Sequence, residues 1–198
     1  MVLACPNSFE KQIEQLFEIS KNSPLEIVLM LTAFYGLRRS EVLGLKWDAV
    51  DFEAKTLTIQ HTVIKVGNNL HKLDRTKNDA SNATFPMPDK VITRLLEWQK
   101  QQEDYKALQP NDWMGEGYIC THPNGKLMLP CYVSKHFKSL LLKNDMPPIR
   151  FHDLRHSSAS FLKSLNFDLK DIQVWLRHKD IQTTMNLLLT LTWTRKPT

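Results

Sequence analysis

Residues 25–37 read Leu-Glu-Ile-Val-Leu-Met-Leu-Thr-Ala-Phe-Tyr-Gly-Leu, a run of 13 with a single charge, Glu26. A segment apolar on every side has to be removed from water, yet a bilayer span needs about 20 such residues. The run is therefore the central helix of a globular core. Pro24 suits its opening and Gly36, which lacks a Cβ, suits its end. With 198 residues, 42% of them hydrophobic and 24% charged, the chain has enough apolar material to enclose that helix in one domain. Global disorder is excluded. Three cysteines, Cys5, Cys120 and Cys131, have neither disulfide nor metal-ligand spacing and point to a reducing compartment, the cytoplasm by default. Leu3-Ala-Cys5 looks like the end of a lipoprotein signal, but only Met-Val precedes it, so no membrane anchor is expected.

The remaining pattern is mainly helical. Phe9, Ile13, Leu16 and Phe17 recur at helical spacing behind Ser8, predicting a helix over 8–20. A short helix is predicted over 39–45. Leu57, Ile59, His61 and Val63 then alternate with polar residues as in a strand, and residues 50–86 should form a small antiparallel sheet of about three strands. Pro88-Asp89 opens a long helix with Val91, Ile92, Leu95, Leu96 and Trp98 near one face. A short strand is expected at 118–120, ended by a turn at 123–125. From Pro130, Tyr132, Val133, His136, Phe137, Leu140 and Leu141 make a helical stripe opposed by Lys135, Lys138 and Lys143, and three more helices are expected at 151–165, at 169–177 and from 181. The fold class is α+β, mainly α, with one small three-stranded sheet.

Two polar clusters stand out. Arg150-Phe-His152-Asp-Leu-Arg155-His156 places an imidazole and a guanidinium three residues apart, on one helix face. A guanidinium is always charged and forks onto two oxygens, which suits a phosphate. Gly36-Leu-Arg38-Arg-Ser-Glu41 sets a second arginine at the end of the buried helix, with Glu41 available to orient it. Either cluster alone also describes a solvated helix end with an ordinary salt bridge. Net charge supplies a weaker hint. The +5 excess falls entirely in residues 100–198, which favours a polyanionic partner, nucleic acid before a membrane surface.

Taken in order, Gly36-Leu-Arg38-Arg-Ser-Glu41, Leu45-Lys-Trp47-Asp-Ala-Val-Asp51, Phe151-His152-Asp-Leu-Arg155-His156 and Trp175-Leu-Arg-His178 followed by Ile181-Gln-Thr-Thr184 resemble the phage integrase, or tyrosine recombinase, family. The resemblance covers nearly the whole chain and implies the catalytic fold of DNA breaking-rejoining enzymes. It implies strand exchange on double-stranded DNA by two transesterifications through a 3′-phosphotyrosine, with no metal and no cofactor, by protomers assembled as a tetramer on DNA. Arg38 and Arg155 would clamp the phosphate, His152 would act as base or hydrogen-bond partner, and His178 would donate to a phosphate oxygen. The family's general acid is a lysine in the sheet's hairpin. Lys77 is the first choice and Lys72 the second. The resemblance also implies an N-terminal core-binding domain, of which residues 1–7 leave no trace, so the whole chain, 1–198, reads as the catalytic domain alone.

The sequence departs from the family at three places. The nucleophilic tyrosine belongs ten residues after His178, and position 188 is Leu188. The tyrosines present, Tyr35, Tyr105, Tyr118 and Tyr132, all lie upstream, so the chain as written is expected to bind without cutting, or to serve as a DNA-binding or regulatory module at recombination sites. Arg177 stands where the family has glycine, and residues 189–198 form an atypical tail. A zinc site on His152 and His156 is disfavoured, because no glutamate between them could serve as base. Tyr132 and Phe137 read as core before they read as a base-stacking platform.

Overall fold

The computed structural model describes residues 8–74 and 83–189. Helix α1 (Ser8–Ser20) packs through Leu16 onto α2 (Glu26–Tyr35), where Ile27 to Ala33 and Tyr35 are all buried. The apolar run is thus the core helix its sequence demands. Gly36 ends it in the left-handed conformation, φ 61°, with its N–H donating to the Thr32 carbonyl at 2.9 Å. A side chain at Gly36 has no room: a Cβ would stand 2.4 Å from Leu176 Cδ2 and 3.3 Å from Ser158 Cβ. Three helix segments therefore meet at this glycine. Helix α3 (Arg39–Gly44) follows at once, started by the Glu41 carboxylate, which accepts the Arg38 backbone N–H at 2.8 Å.

Five strands follow among the described residues. β1 (Val50–Asp51), β2 (Thr56–Ile59) and β5 (Ala83–Pro86) make the expected three-stranded antiparallel sheet in the order β1-β2-β5, with Leu57 opposite Phe85. β3 (His61–Val66) and β4 (Asn69–Asp74) pair separately as a hairpin around Gly67, at φ 60°. The single strand anticipated through 57–63 is broken at Gln60. The cause is α3, whose Gly44 lies so close to β3 that a Cβ there would approach the His61 carbonyl oxygen to 2.4 Å. Thr62 and Val63 are consecutively buried as a result, and the alternation of one strand cannot continue.

Helix α4 (Asp89–Leu108) buries Val91 and Leu95, whereas Leu96, assigned to the same face, is 46% exposed. One residue along a helix turns a side chain by about 100°, enough to leave the core. The strand expected at 118–120 is absent. That segment lies along residues 45–47 instead, with Ile119 N–H donating to the Leu45 carbonyl at 2.9 Å, Trp47 N–H to the Gly117 carbonyl at 2.9 Å, and one isolated bridge, Lys46 to Tyr118. Helix α5 (Pro130–Lys143) buries Val133, Phe137 and Leu141 and leaves His136 outside, stacked on Tyr132 at 3.7 Å between ring centres. Phe137 is core, packing edge-on against Phe151.

A 3-10 turn at Phe151–Asp153 leads into α6 (Leu154–Ser164), then α7 (Leu169–Leu176) and α8 (Ile181–Leu189). Asp168 caps α7 by accepting the Asp171 N–H at 2.7 Å. Ala159, Leu162, Ile172 and Leu176 form a second, small core that joins these three helices, and Leu188 packs on it. Among the described residues no helix is long and apolar enough to cross a membrane.

The close approach at Gly44 is testable. Gly44→Ala places a methyl group against backbone that cannot yield as a side chain would, so an overpacking loss of about 1–3 kcal/mol is expected. A urea midpoint that did not fall in this variant would contradict the packing of α3 on β3.

Candidate active site

Arg155 is a deeply buried cation, 2% exposed on the first turns of α6. Its guanidinium donates to the Gly36 carbonyl at the end of α2 and to the Leu176 carbonyl at the end of α7. Helix C-termini carry partial negative charge and unpaired carbonyls, so a cation between two of them satisfies both. Burial first, with Arg38 and Arg177 nearby, lowers its pKa to about 9, and it stays charged at neutral pH. The Nε–H donates to His178 Nε2 at 3.3 Å.

That last bond fixes the state of His178. Arginine only donates, so His178 Nε2 must accept and its proton sits on Nδ1, which donates to Thr184 Oγ1 at 2.9 Å. Thr184 is fully buried on α8. Burial, then Arg155 and Arg38, lowers the His178 pKa to about 4, which agrees with a neutral ring. Gln173 pins the same corner: its side-chain amide donates to the His178 carbonyl at 3.1 Å, and its own carbonyl accepts the His178 N–H at 3.0 Å.

Arg38 lies where α2 hands over to α3. Glu41, fully buried, accepts Arg38 Nη1 at 2.9 Å on one oxygen and, on the other, both the Arg38 N–H and Arg177 Nη2, the latter at 2.6 Å. Burial alone would raise the Glu41 pKa, but Arg177 and the bonds from Arg38 hold it at about 2. The Arg38 side chain stays 42% exposed. Arg177 is the αL residue that ends α7, φ 55° and ψ 45°. A side chain in this conformation costs about 1–2 kcal/mol, which the glycine implied here by the resemblance would avoid.

His152, on the 3-10 turn before α6, is exposed, and its pKa is lowered by burial of part of its ring and then by Arg155, with Arg38 contributing. His156 lies one turn on, its ring centre 6.5 Å from that of His152 and its Nε2 3.7 Å from Asp153. Asp153 in turn receives Arg150 Nη2 at 2.9 Å. Arg38, His152, Arg155 and His178 thus share one neighbourhood, from three separate parts of the chain. Lys77 lies outside the described residues. Lys72 is engaged elsewhere, by Glu116 and over the Tyr118 ring at 5.9 Å.

Leu188 packs on the small core beside α6 and α7. The tyrosines have other duties: buried Tyr35 donates to the Pro86 carbonyl at 3.4 Å, Tyr105 donates to Asp112 at 2.6 Å, Tyr118 is buried, and Tyr132 stacks on His136. No cluster of three or more potential metal ligands occurs among the described residues. The sequence reading missed the partners of Arg177 and Gln173. The only sequence sign of the first was the cation in place of glycine.

Residues 9–188 match the sequence profile of the phage integrase family, and the chain belongs to that family. It is 30% identical over 191 residues to a XerC-like tyrosine recombinase of Caldanaerobacter subterraneus subsp. tengcongensis, covering 90% of this chain and 48% of that protein. It is 27% identical over 159 residues to the integrase of Staphylococcus phage L54a, covering 78% and 44%. The chain spans about half the length of the curated relatives it matches. The fold is similar to that of the Tn1549 transposon integrase in complex with transposon right-end DNA, with TM-score 0.73, 20% identity, and coverage of 94% of this chain and 61% of that one. XerA recombinase is similar as well, at TM-score 0.68, 16% identity, 95% and 63%.

The site makes stability depend on pH in two windows. His152, His156 and His178 all bind protons less readily folded than unfolded, where the value is near 6.5. Their contribution is complete above that value and is lost as pH falls below it, for His178 toward about 4. Glu41 contributes above its ordinary 4.5 and loses that contribution as pH drops toward about 2. Urea midpoints should therefore decline from pH 6.5 downward, and the gap between the wild type and His178→Asn should narrow across that interval. A gap constant with pH would refute the neutral, buried imidazole.

Proposed function

We propose that this chain is the catalytic part of a tyrosine recombinase that acts on double-stranded DNA in site-specific recombination or integration, with its nucleophile position occupied by Leu188. The observation that carries the reading is the convergence of Arg38, Arg155, His152 and His178 on the corner where α2, α6 and α7 meet. Attack on a phosphodiester spreads negative charge over the non-bridging oxygens, and cations fixed in advance lower that barrier most. Arg38, half exposed, meets the phosphate directly. Arg155 has three of its five N–H bonds committed to protein acceptors, which leaves two for an oxygen that enters beside Arg38. A dianionic transition state raises the proton affinity of His178 and so favours the doubly protonated ring that can donate.

In the complete reaction a phenol at position 188 attacks phosphorus, the phenolic proton passes to His152, and the 5′-oxygen departs with a proton from Lys77. An aliphatic side chain at 188 supplies no such oxygen. The pocket therefore holds the phosphate without cutting, and assembly of protomers as a tetramer on DNA belongs to the same reading. The alternative, a module that occupies recombination sites without chemistry, is favoured by one specific observation, Leu188 itself.

Leu188→Tyr separates the two. Incubated with a pool of nicked duplexes of randomised sequence, the wild type should give no covalent adduct and the variant should give one, lost again on Arg38→Ala. Both proteins should bind DNA with a salt dependence that Arg38→Ala makes shallower by about one phosphate contact. DNA binding by the variant without any adduct would overturn the catalytic reading, and the absence of salt-dependent binding would overturn both.

A further inference from the structure

Arg177 sits on backbone that favours glycine, at φ 55°, so whatever keeps it there lies in its side chain. That side chain is 17% exposed, lies over the Phe85 ring at 5.7 Å, and places Nη2 2.6 Å from Glu41 Oε2. Glu41 is fully enclosed and serves two arginines at once: Arg38 Nη1 on Oε1, Arg177 Nη2 on Oε2. A carboxylate facing one guanidinium prefers to take it with both oxygens, as a fork on a fork. Here the second oxygen already takes Arg177 Nη2, and with it the Arg38 backbone N–H. Arg38 is consequently held through a single terminal nitrogen and keeps the rest of its guanidinium at the exposed side of the site.

We propose that Arg177 is a positioning residue: by sharing Glu41 with Arg38, it keeps the Arg38 guanidinium turned outward and available to a phosphate. The proposal rests on the reading of the pocket as a DNA phosphate site and deepens it. It also assigns the departure at position 177 a role in the pocket. Two consequences follow from the geometry. Loss of the Arg177 cation lets Glu41 draw Arg38 inward, weakening DNA binding even though the phosphate never touches residue 177. Because the effect passes through Arg38, it disappears when Arg38 is absent.

The test is a two-by-two set, Arg177→Gly and Arg38→Ala singly and together, in the full chain, with affinity for a mixed-sequence duplex measured by fluorescence anisotropy over a salt series. Glycine suits the αL backbone, and Arg177→Asn, a residue that also tolerates it, is the second variant should the first fold poorly. Thermal melts establish that each variant is folded. Arg177→Gly should weaken binding about fivefold, the size of one redirected charge-assisted hydrogen bond, and Arg177→Lys should recover part of the loss. In the Arg38→Ala background the same change should alter affinity by less than about twofold. A purely structural Arg177 would move the melting temperature and leave affinity alone, and that result overturns the proposal. So does an undiminished loss in the Arg38→Ala background, which would make Arg177 a direct phosphate contact. If Arg38→Ala alone has no effect on binding, the phosphate-site reading has failed, a result separate from either of these.

Discussion

The buried guanidinium of Arg155 is what the rest of the site depends on. Two helices, α2 and α7, end against it, and each end presents a carbonyl that no residue of its own helix can satisfy. Without the cation both carbonyls would be enclosed and unpaired, at about 1–3 kcal/mol each. The arrangement also requires a bare backbone at Gly36, because Leu176 fills the space its Cβ would take. Core packing and the charge of the site are thus set by the same few atoms. A substitution at Gly36 would disturb the position of Arg155 as surely as one at Arg155 itself.

One enclosed cation then dictates the states of its neighbours. His178 cannot carry a second proton while its Nε2 accepts from Arg155, so the imidazole is held neutral and its other nitrogen turns to Thr184. Arg38, the second guanidinium, is accommodated nearby because Glu41 stays ionised between it and Arg177. Among the described residues Arg38, Arg155 and Arg177 all lie within electrostatic reach of Glu41. In the reading proposed above, this concentration of positive charge is what would draw a phosphate to this corner.

Much of this was legible in the sequence. The central helix followed from thirteen residues with one charge, and its glycine end from the need for αL backbone. Arg38, His152 and Arg155 stood out as polar clusters at predicted helix ends, whereas their grouping with His178 came from the family resemblance. The convergence of Arg155 on Gly36, 119 residues earlier, could not be read, because no local pattern encodes which carbonyl a distant side chain reaches. The break at Gln60 was hidden for a related reason. Alternation over 57–63 describes a strand well, and only the arrival of α3 at His61 ends it. Leu96 was misplaced because a helical stripe read by eye is wider than the face that is buried.

Retention of these cations beside Leu188 is often the kind of fact read as a sign of surviving chemistry, and the structure shows why the members of the set differ in weight. Arg155 has a structural duty that would preserve it in a protein with no activity at all, since its loss strands two buried carbonyls. Glu41 and Gln173 are bound by similar duties within their helices and corners. Arg38 and His152 are different. The Arg38 side chain is 42% exposed even though its Nη1 also pairs with the buried Glu41, and His152 lies on the surface. An exposed guanidinium and imidazole remain open to a partner outside the protein, and Arg38 acts electrostatically on both His152 and Arg155. The case for a phosphate partner in the proposed reading therefore rests less on the buried arginine that anchors the fold than on the two exposed side chains beside it.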